Sequence, residues 1–86
     1  MTLAMLNAVG GTPVMELRRV APPGFARILI KLEGQNPTGS MKDRMALSVV
    51  QAAKARSQLG PGGRVVEYTG GSTGTSLAFV CAALGH

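Results

Sequence analysis

With 86 residues the chain has room for one small domain at most, and 45% hydrophobic against 3% aromatic residues makes any core aliphatic and small-grained. Charged residues are 15%, below the ~25% of an ordinary globular chain, so much of this surface is expected to be covered by other protein. The net charge of +5 is scattered over Arg18, Arg19, Arg27, Lys31, Lys42, Arg44, Lys54, Arg56 and Arg64, with no basic run and almost no aromatic interleaving, which argues against a nucleic-acid partner.

One cysteine, Cys81, cannot form an internal disulfide and reads as a small core residue of a protein kept in a reducing compartment. One cysteine and one histidine do not make a zinc site, so no metal is expected. The start Met1-Thr2-Leu3-Ala4-Met5 lacks the basic region of a signal peptide, and no apolar run approaches the ~20 residues of a membrane span. The expectation is a cytoplasmic protein with no membrane partner.

In chain order, residues 3–9 allow a short helical turn closed by Gly10-Gly11, and Val14–Leu17 reads as a short strand. Ala21-Pro22-Pro23-Gly24 is a turn, and residues 26–32, with Ile28, Leu29, Ile30 and Leu32, form the clearest strand. A loop at 36–39 leads into a helix from Ser40 to about Ser57, ended by the breakers Gly60-Pro61-Gly62-Gly63. Residues 64–68 read as a second core strand. A glycine loop at 69–74 then feeds a helix from about Thr75 to Leu84, with Gly85 as its stop. Strand, loop, helix, repeated, predicts an α/β unit with a parallel sheet between helices. Ligands in such units sit where strand ends feed helix starts, here at 36–42 and 69–74. The last helix, Leu77 to Leu84, is apolar all round and predicts burial on every side. Two strands cannot supply that cover, so residues 1–86 are expected to be a single partial domain, the N-terminal piece of a larger enzyme.

Two stretches carry the chemistry. In Asn36-Pro37-Thr38-Gly39-Ser40-Met41-Lys42-Asp43-Arg44, turn residues precede a helix start, and Ser40 and Asp43 have the spacing of a capping box. Lys42 falls in the first helical turn, where the dipole opposes a cation. A free lysine amine is the form that attacks an aldehyde to make a Schiff base. A solvated surface lysine is the plainer reading of the same position. In Thr69-Gly70-Gly71-Ser72-Thr73-Gly74, the glycines admit close approach of a ligand, and the hydroxyls with free N–H groups at the helix start make an anion cradle. No lysine follows Gly74, so this is not a nucleotide P-loop.

These segments resemble those of the cysteine synthase/cystathionine β-synthase family, pyridoxal-phosphate enzymes of fold type II. Asn36 to Arg44 is similar to the family's lysine segment, Gly11-Thr12-Pro13-Val14 to its N-terminal Gly-x-Thr-Pro-Leu, and Thr69 to Gly74 to its Thr-Ser-Gly-Asn-Thr-Gly substrate loop. The resemblance covers nearly the whole chain and implies the N-terminal part of a tryptophan-synthase-β-like fold. It implies pyridoxal 5'-phosphate as cofactor, held by Lys42, which then serves as base on the substrate α-proton. It implies an amino-acid substrate whose carboxylate is gripped by Thr69, Gly70, Gly71, Ser72 and Thr73, with Ser72 also placed to contact the cofactor ring. It further implies a homodimer for the complete enzyme, and β-replacement on serine or O-acetylserine by sulfide to give cysteine. Here Gly70 and Ser72 replace the family's Ser and Asn, which bears on the substrate. A serine/threonine dehydratase-like reaction and a non-catalytic fragment, with residues 1–86 inactive alone, are the competing expectations.

Overall fold

The computed structural model describes residues 2–86. Five elements follow in order: α1 (Thr2–Leu6), β1 (Val14–Leu17), β2 (Ile28–Lys31), α2 (Lys42–Ala55) and α3 (Ser72–Leu84), with a 3-10 turn at Glu33–Gln35. β1 has the bounds its residues suggest, and the final helix starts three residues earlier than expected, at Ser72. α2 ends at Ala55 because the chain turns out of the helix at Ser57, whose φ of 58° is left-handed. Gly85, with φ of 83°, closes α3, and the amides of Gly85 and His86 both donate to the Cys81 carbonyl.

The sheet departs from the parallel arrangement expected of the chain order. β1 and β2 pair antiparallel in the register Val14 with Lys31 and Leu17 with Ile28. Ten residues separate the two strands, and a connection without a crossover helix can only bring them together as a hairpin. Arg27 Nε donates to Glu16 Oε1 at 2.8 Å at the end closed by this connection. Residues 64–68, expected as a core strand, run without sheet pairing. An extended segment becomes a strand only by finding a ladder partner, and none lies beside it among the described residues. Val66 is 92% exposed and Tyr68 is fully exposed. β2 is likewise apolar yet exposed, the composition of a strand whose faces are meant to be covered.

The core lies between the helices. Leu6 of α1, Ala46 and Val50 of α2, and Val80 and Cys81 of α3 are buried together, with Leu47, Leu59, Leu77, Phe79, Ala83 and Leu84 packed around them. α2 therefore buries one stripe. The expectation that α3 is covered on all sides does not hold within these residues: Ser76, Val80 and Cys81 are buried, whereas Ala78 and Ala82 face outward. The apolar composition of that outward face has no cover among the described residues.

With so small a core, single methyl groups count. Val50→Ala is expected to cost about 2 kcal/mol, the transfer and cavity cost of two buried methyls, in a urea denaturation of the chain. Val66→Ala, at an exposed position, is expected to shift stability by less than about 0.5 kcal/mol.

Candidate functional site

Among the described residues, four polar side chains are buried: Thr12, Asn36, Asp43 and Ser76. Buried polar groups need partners, and the partners of these four assemble the loops around Lys42.

The turn before α2 is built as its residues demand. Gly39 N donates to Asn36 O at 2.8 Å, closing a four-residue turn with Pro37 second, and Gly39 has φ of 84°. Lys42 N donates to Ser40 Oγ at 3.0 Å, so Ser40 does satisfy an amide at the helix start. The expected capping box is not completed, however. Asp43 does not reach back to Ser40. Its Oδ2 accepts the Thr38 amide at 2.8 Å, and its Oδ1 accepts Thr38 Oγ1 at 2.5 Å and Ser76 Oγ at 2.6 Å. Three directed donors in a water-free site outcompete one end amide. Burial pushes this carboxyl up, but the hydrogen bonds from Ser76 and Thr38 outweigh it and hold Asp43 below its ordinary range.

A second network closes the other side. Arg44 grips Glu33 with two parallel hydrogen bonds, Nε to Oε2 at 2.8 Å and Nη2 to Oε1 at 3.0 Å. Thr12 Oγ1 donates to Glu33 Oε1 and accepts from Arg44 Nη2. Asn36 Nδ2 donates to Glu33 Oε2 at 2.9 Å, and Asn36 Oδ1 accepts the Gly10 amide at 2.8 Å. The Gly10–Thr12 segment, the 3-10 turn and the α2 start are thereby tied together. Gly10 has no room for a side chain here: a Cβ would lie 3.0 Å from Arg44 Nη1, at a φ of 80°. The Arg44 hydrogen bonds, with help from Thr12 and Asn36 and against the cost of burial, lower the Glu33 pKa from 4.5 to about 2.

Lys42 is the first residue of α2 and half-buried. Its neighbour Asp43 is fully engaged elsewhere, and the ion pairs among the described residues run to Glu16 and Glu33. The amine is thus left without an acid partner, as are those of Lys31, whose Nζ donates to the Thr12 carbonyl at 2.6 Å, and Lys54; what sets Lys42 apart is its place in the first turn of α2. An amine kept off carboxylates at a helix start fits a group that condenses with an aldehyde.

The glycine loop is stapled from within. Thr69 Oγ1 accepts the amides of Gly71 at 3.2 Å and Gly74 at 3.0 Å. Its hydroxyl proton remains free to donate outward. Thr75 N donates to Gly71 O at 3.1 Å. The Ser72 and Thr73 amides, at the α3 start, have no acceptor among the described residues, so they and the Thr69, Ser72 and Thr73 hydroxyls are the available donors. A Cβ at Gly70 or Gly71 would meet nothing within 4 Å, whereas one at Gly74 would strike Thr69 Cγ2 at 2.5 Å. The first two glycines face open space that a ligand can use, and the third is small for packing. The expected residues Thr69, Gly70, Gly71, Ser72 and Thr73 lie together in the loop that leads into α3, and the Asp43–Ser76 bond brings the start of α2 against that helix.

Thr38, Asp43 and Ser76 did not stand out as a unit in the sequence. The available signal was Ser76, a hydroxyl one turn into an otherwise apolar helix.

Residues 5–86 match the model of the family described as pyridoxal-phosphate dependent enzyme. A cysteine synthase of Staphylococcus aureus (strain Mu50) is 50% identical over 78 residues, covering 91% of this chain and 25% of its own length. Among solved structures, an O-ureido-L-serine synthase superposes with a TM-score of 0.84 at 47% identity, covering 94% of this chain and 25% of its own. The cysteine synthase of Entamoeba histolytica superposes with a TM-score of 0.85 at 40% identity, covering 95% of this chain and 25% of its own. The chain spans about a quarter of the length of these relatives.

The depressed Glu33 pKa sets a pH dependence. A carboxyl lowered on folding contributes stability that is complete above its unfolded value, 4.5, and is lost as pH falls toward about 2. Melting temperatures followed by circular dichroism between about pH 5 and 2 are expected to fall less steeply in Glu33→Gln than in the parent chain. Equal slopes would mean that the Arg44 clasp does not hold in solution.

Proposed function

This chain belongs to the pyridoxal-phosphate-dependent enzyme family, and from that membership we propose that it is the cofactor-lysine and substrate-carboxylate segment of a β-replacement enzyme of the cysteine synthase type. The observation that carries the proposal is the pairing of an acid-free lysine amine at the start of α2 with a donor-rich glycine cradle at the start of α3. The likeness to both a cysteine synthase and an O-ureido-L-serine synthase supports the reaction class. Cysteine and O-ureido-L-serine share one amino-acid skeleton and differ in what is bonded to the β-carbon. The reaction proposed here is replacement at that carbon: O-acetylserine with sulfide gives cysteine and acetate, or serine with sulfide gives cysteine and water.

Lys42 would hold the cofactor through its amine, with Ser72 Oγ placed to reach the ring. When bound, the cofactor supplies an electron sink that lets the α-proton and the β-leaving group depart. Lys42 Nζ is the group positioned to take that α-proton. The amides of Ser72 and Thr73, with the hydroxyls of Thr69 and Thr73, bind the substrate carboxylate and fix which bond faces the lysine. Cysteine synthesis requires further residues to anchor the cofactor phosphate, and the cradle is already assigned to the substrate. The 86-residue chain alone is therefore proposed to be catalytically silent, and the complete enzyme to be a cytoplasmic homodimer.

Incubation with pyridoxal 5'-phosphate followed by borohydride reduction traps even weak occupancy, and peptide mapping is expected to place the label on Lys42. Label on Lys31 or Lys54 in its stead would overturn the assignment, and Lys42→Ala is expected to abolish the specific label. An assay of the chain alone with cofactor, O-acetylserine and sulfide is expected to give no cysteine, and steady turnover would contradict the incomplete-site reading.

Gly71→Val separates substrate from cofactor. A side chain at this position meets nothing within 4 Å, and circular dichroism of the variant checks that the fold is kept before binding is compared. The branched side chain then fills the cradle mouth. L-serine binding, followed by NMR shifts of the loop amides, is expected to weaken by about tenfold or more, ~1.4 kcal/mol, with Lys42 labelling unchanged. Equal loss of both, or of neither, would count against the cradle.

A further inference from the structure

Asp43 has no exposed surface and accepts hydrogen bonds from two separate parts of the chain: Thr38, in the loop that carries Lys42, and Ser76, in α3 one helical turn after Ser72. The Asp43–Ser76 bond is the side-chain hydrogen bond between α2 and α3 among the described residues. The core cluster shared by the two helices is small and apolar: Ala46 and Val50 of α2 with Val80 and Cys81 of α3, and Leu47 and Leu77 packed against them.

Packing of small aliphatic side chains fixes how close two helices come. It is a weak determinant of how far one slides along the other, since neighbouring ridges of alanine and valine are nearly equivalent. A buried, directional polar contact is the device that singles out one register. It is seated here at one end of the helix pair, at the second residue of α2 and the fifth of α3. Sliding α3 by one residue, about 1.5 Å, would carry Ser76 Oγ out of reach and leave a buried carboxylate short of a donor.

We propose that Asp43 is a positioning residue that locks the register of α3 on α2, holding the 69–74 cradle at a fixed separation from the Lys42 amine. Lys42 and the cradle are the working pair in the function proposed above, and the significance of the lock rests on that reading. The lock itself is a property of this chain. Thr38 completes it: its amide and hydroxyl orient the carboxylate, and its Oγ1 lies 3.4 Å from Ser76 Oγ, so one carboxylate gathers the lysine loop and α3 together.

The test uses the 15N-labelled 86-residue chain and amide hydrogen exchange. Ser76→Ala removes the donor on α3 and leaves the Thr38–Asp43 bonds in place. Val50→Ala serves as a control that destabilises the same helix pair without touching the lock. Ser76→Ala is expected to speed exchange at Gly74 and Thr75 about tenfold or more and to weaken L-serine-induced shifts at Ser72 and Thr73, with β1–β2 exchange unchanged. Val50→Ala is expected to lower the melting temperature without this loop-specific signature. The double variant Asp43→Ala with Ser76→Ala is expected to exchange in the loop no faster than Asp43→Ala alone, because both remove the same bond. Loop exchange unchanged in Ser76→Ala, equal acceleration in Val50→Ala, or additive effects in the double variant would each overturn the proposal. If Asp43→Ala fails to fold, the comparison of Ser76→Ala with Val50→Ala decides it. A loop-specific signature in a chain whose Lys42 takes no pyridoxyl label would uphold the lock and refute the function.

Discussion

A carboxylate with no exposed surface dictates much of this structure. Asp43 sits at 0% exposure, and the donors from Ser76 and Thr38 hold its carboxyl below its ordinary range against the opposing push of burial. Leaving such a group short of partners costs about 1–3 kcal/mol, and more for a charge, a large share of what so small a core can supply. The path of the loop at 36–41, the start of α2 and the second turn of α3 are therefore not independent choices. Each must deliver its atom to the same two oxygens.

The Glu33–Arg44 clasp does the same for the Gly10–Thr12 segment and the 3-10 turn. The two networks fix the loop before Lys42 and the residues that follow it, and both carboxylates, Asp43 and Glu33, are committed to other partners. One set of polar groups is thus spent on architecture, and the amides of Ser72 and Thr73 at the start of α3 are not part of it.

What the sequence reveals and conceals follows from the range of the interactions involved. Val14–Leu17, the Asn36–Gly39 turn and the stop at Gly85 depend on residues within one or two turns, and each is legible locally, whereas α2 starts at Lys42, two residues after the expected Ser40. Lys42 and the 69–74 loop stand out in the sequence as candidates because a lysine in the first turn of a helix, and a run of glycine and hydroxyl residues ahead of one, are local patterns. The Asp43–Ser76 bond spans 33 residues, and the local rule misdirects there: the spacing of Ser40 and Asp43 suggests a capping box, whereas burial next to α3 offers the carboxylate stronger donors. Residues 64–68 and β2 show the opposite failure. Their apolar, β-rich composition is that of a covered sheet, but pairing is a property of neighbours, and the neighbour at hand for β2 is the hairpin partner β1.

The central claim, that Lys42 is the residue committed to the cofactor, is tested most directly by the absorption spectrum of the chain titrated with pyridoxal 5'-phosphate in two arginine variants. Lysines occur at 31, 42 and 54. With Lys31 and Lys54 both replaced by arginine, the imine absorbance of the parent chain should persist. With Lys42 alone replaced by arginine, it should fall to the level of an unstructured lysine peptide. The reverse pattern would contradict the account.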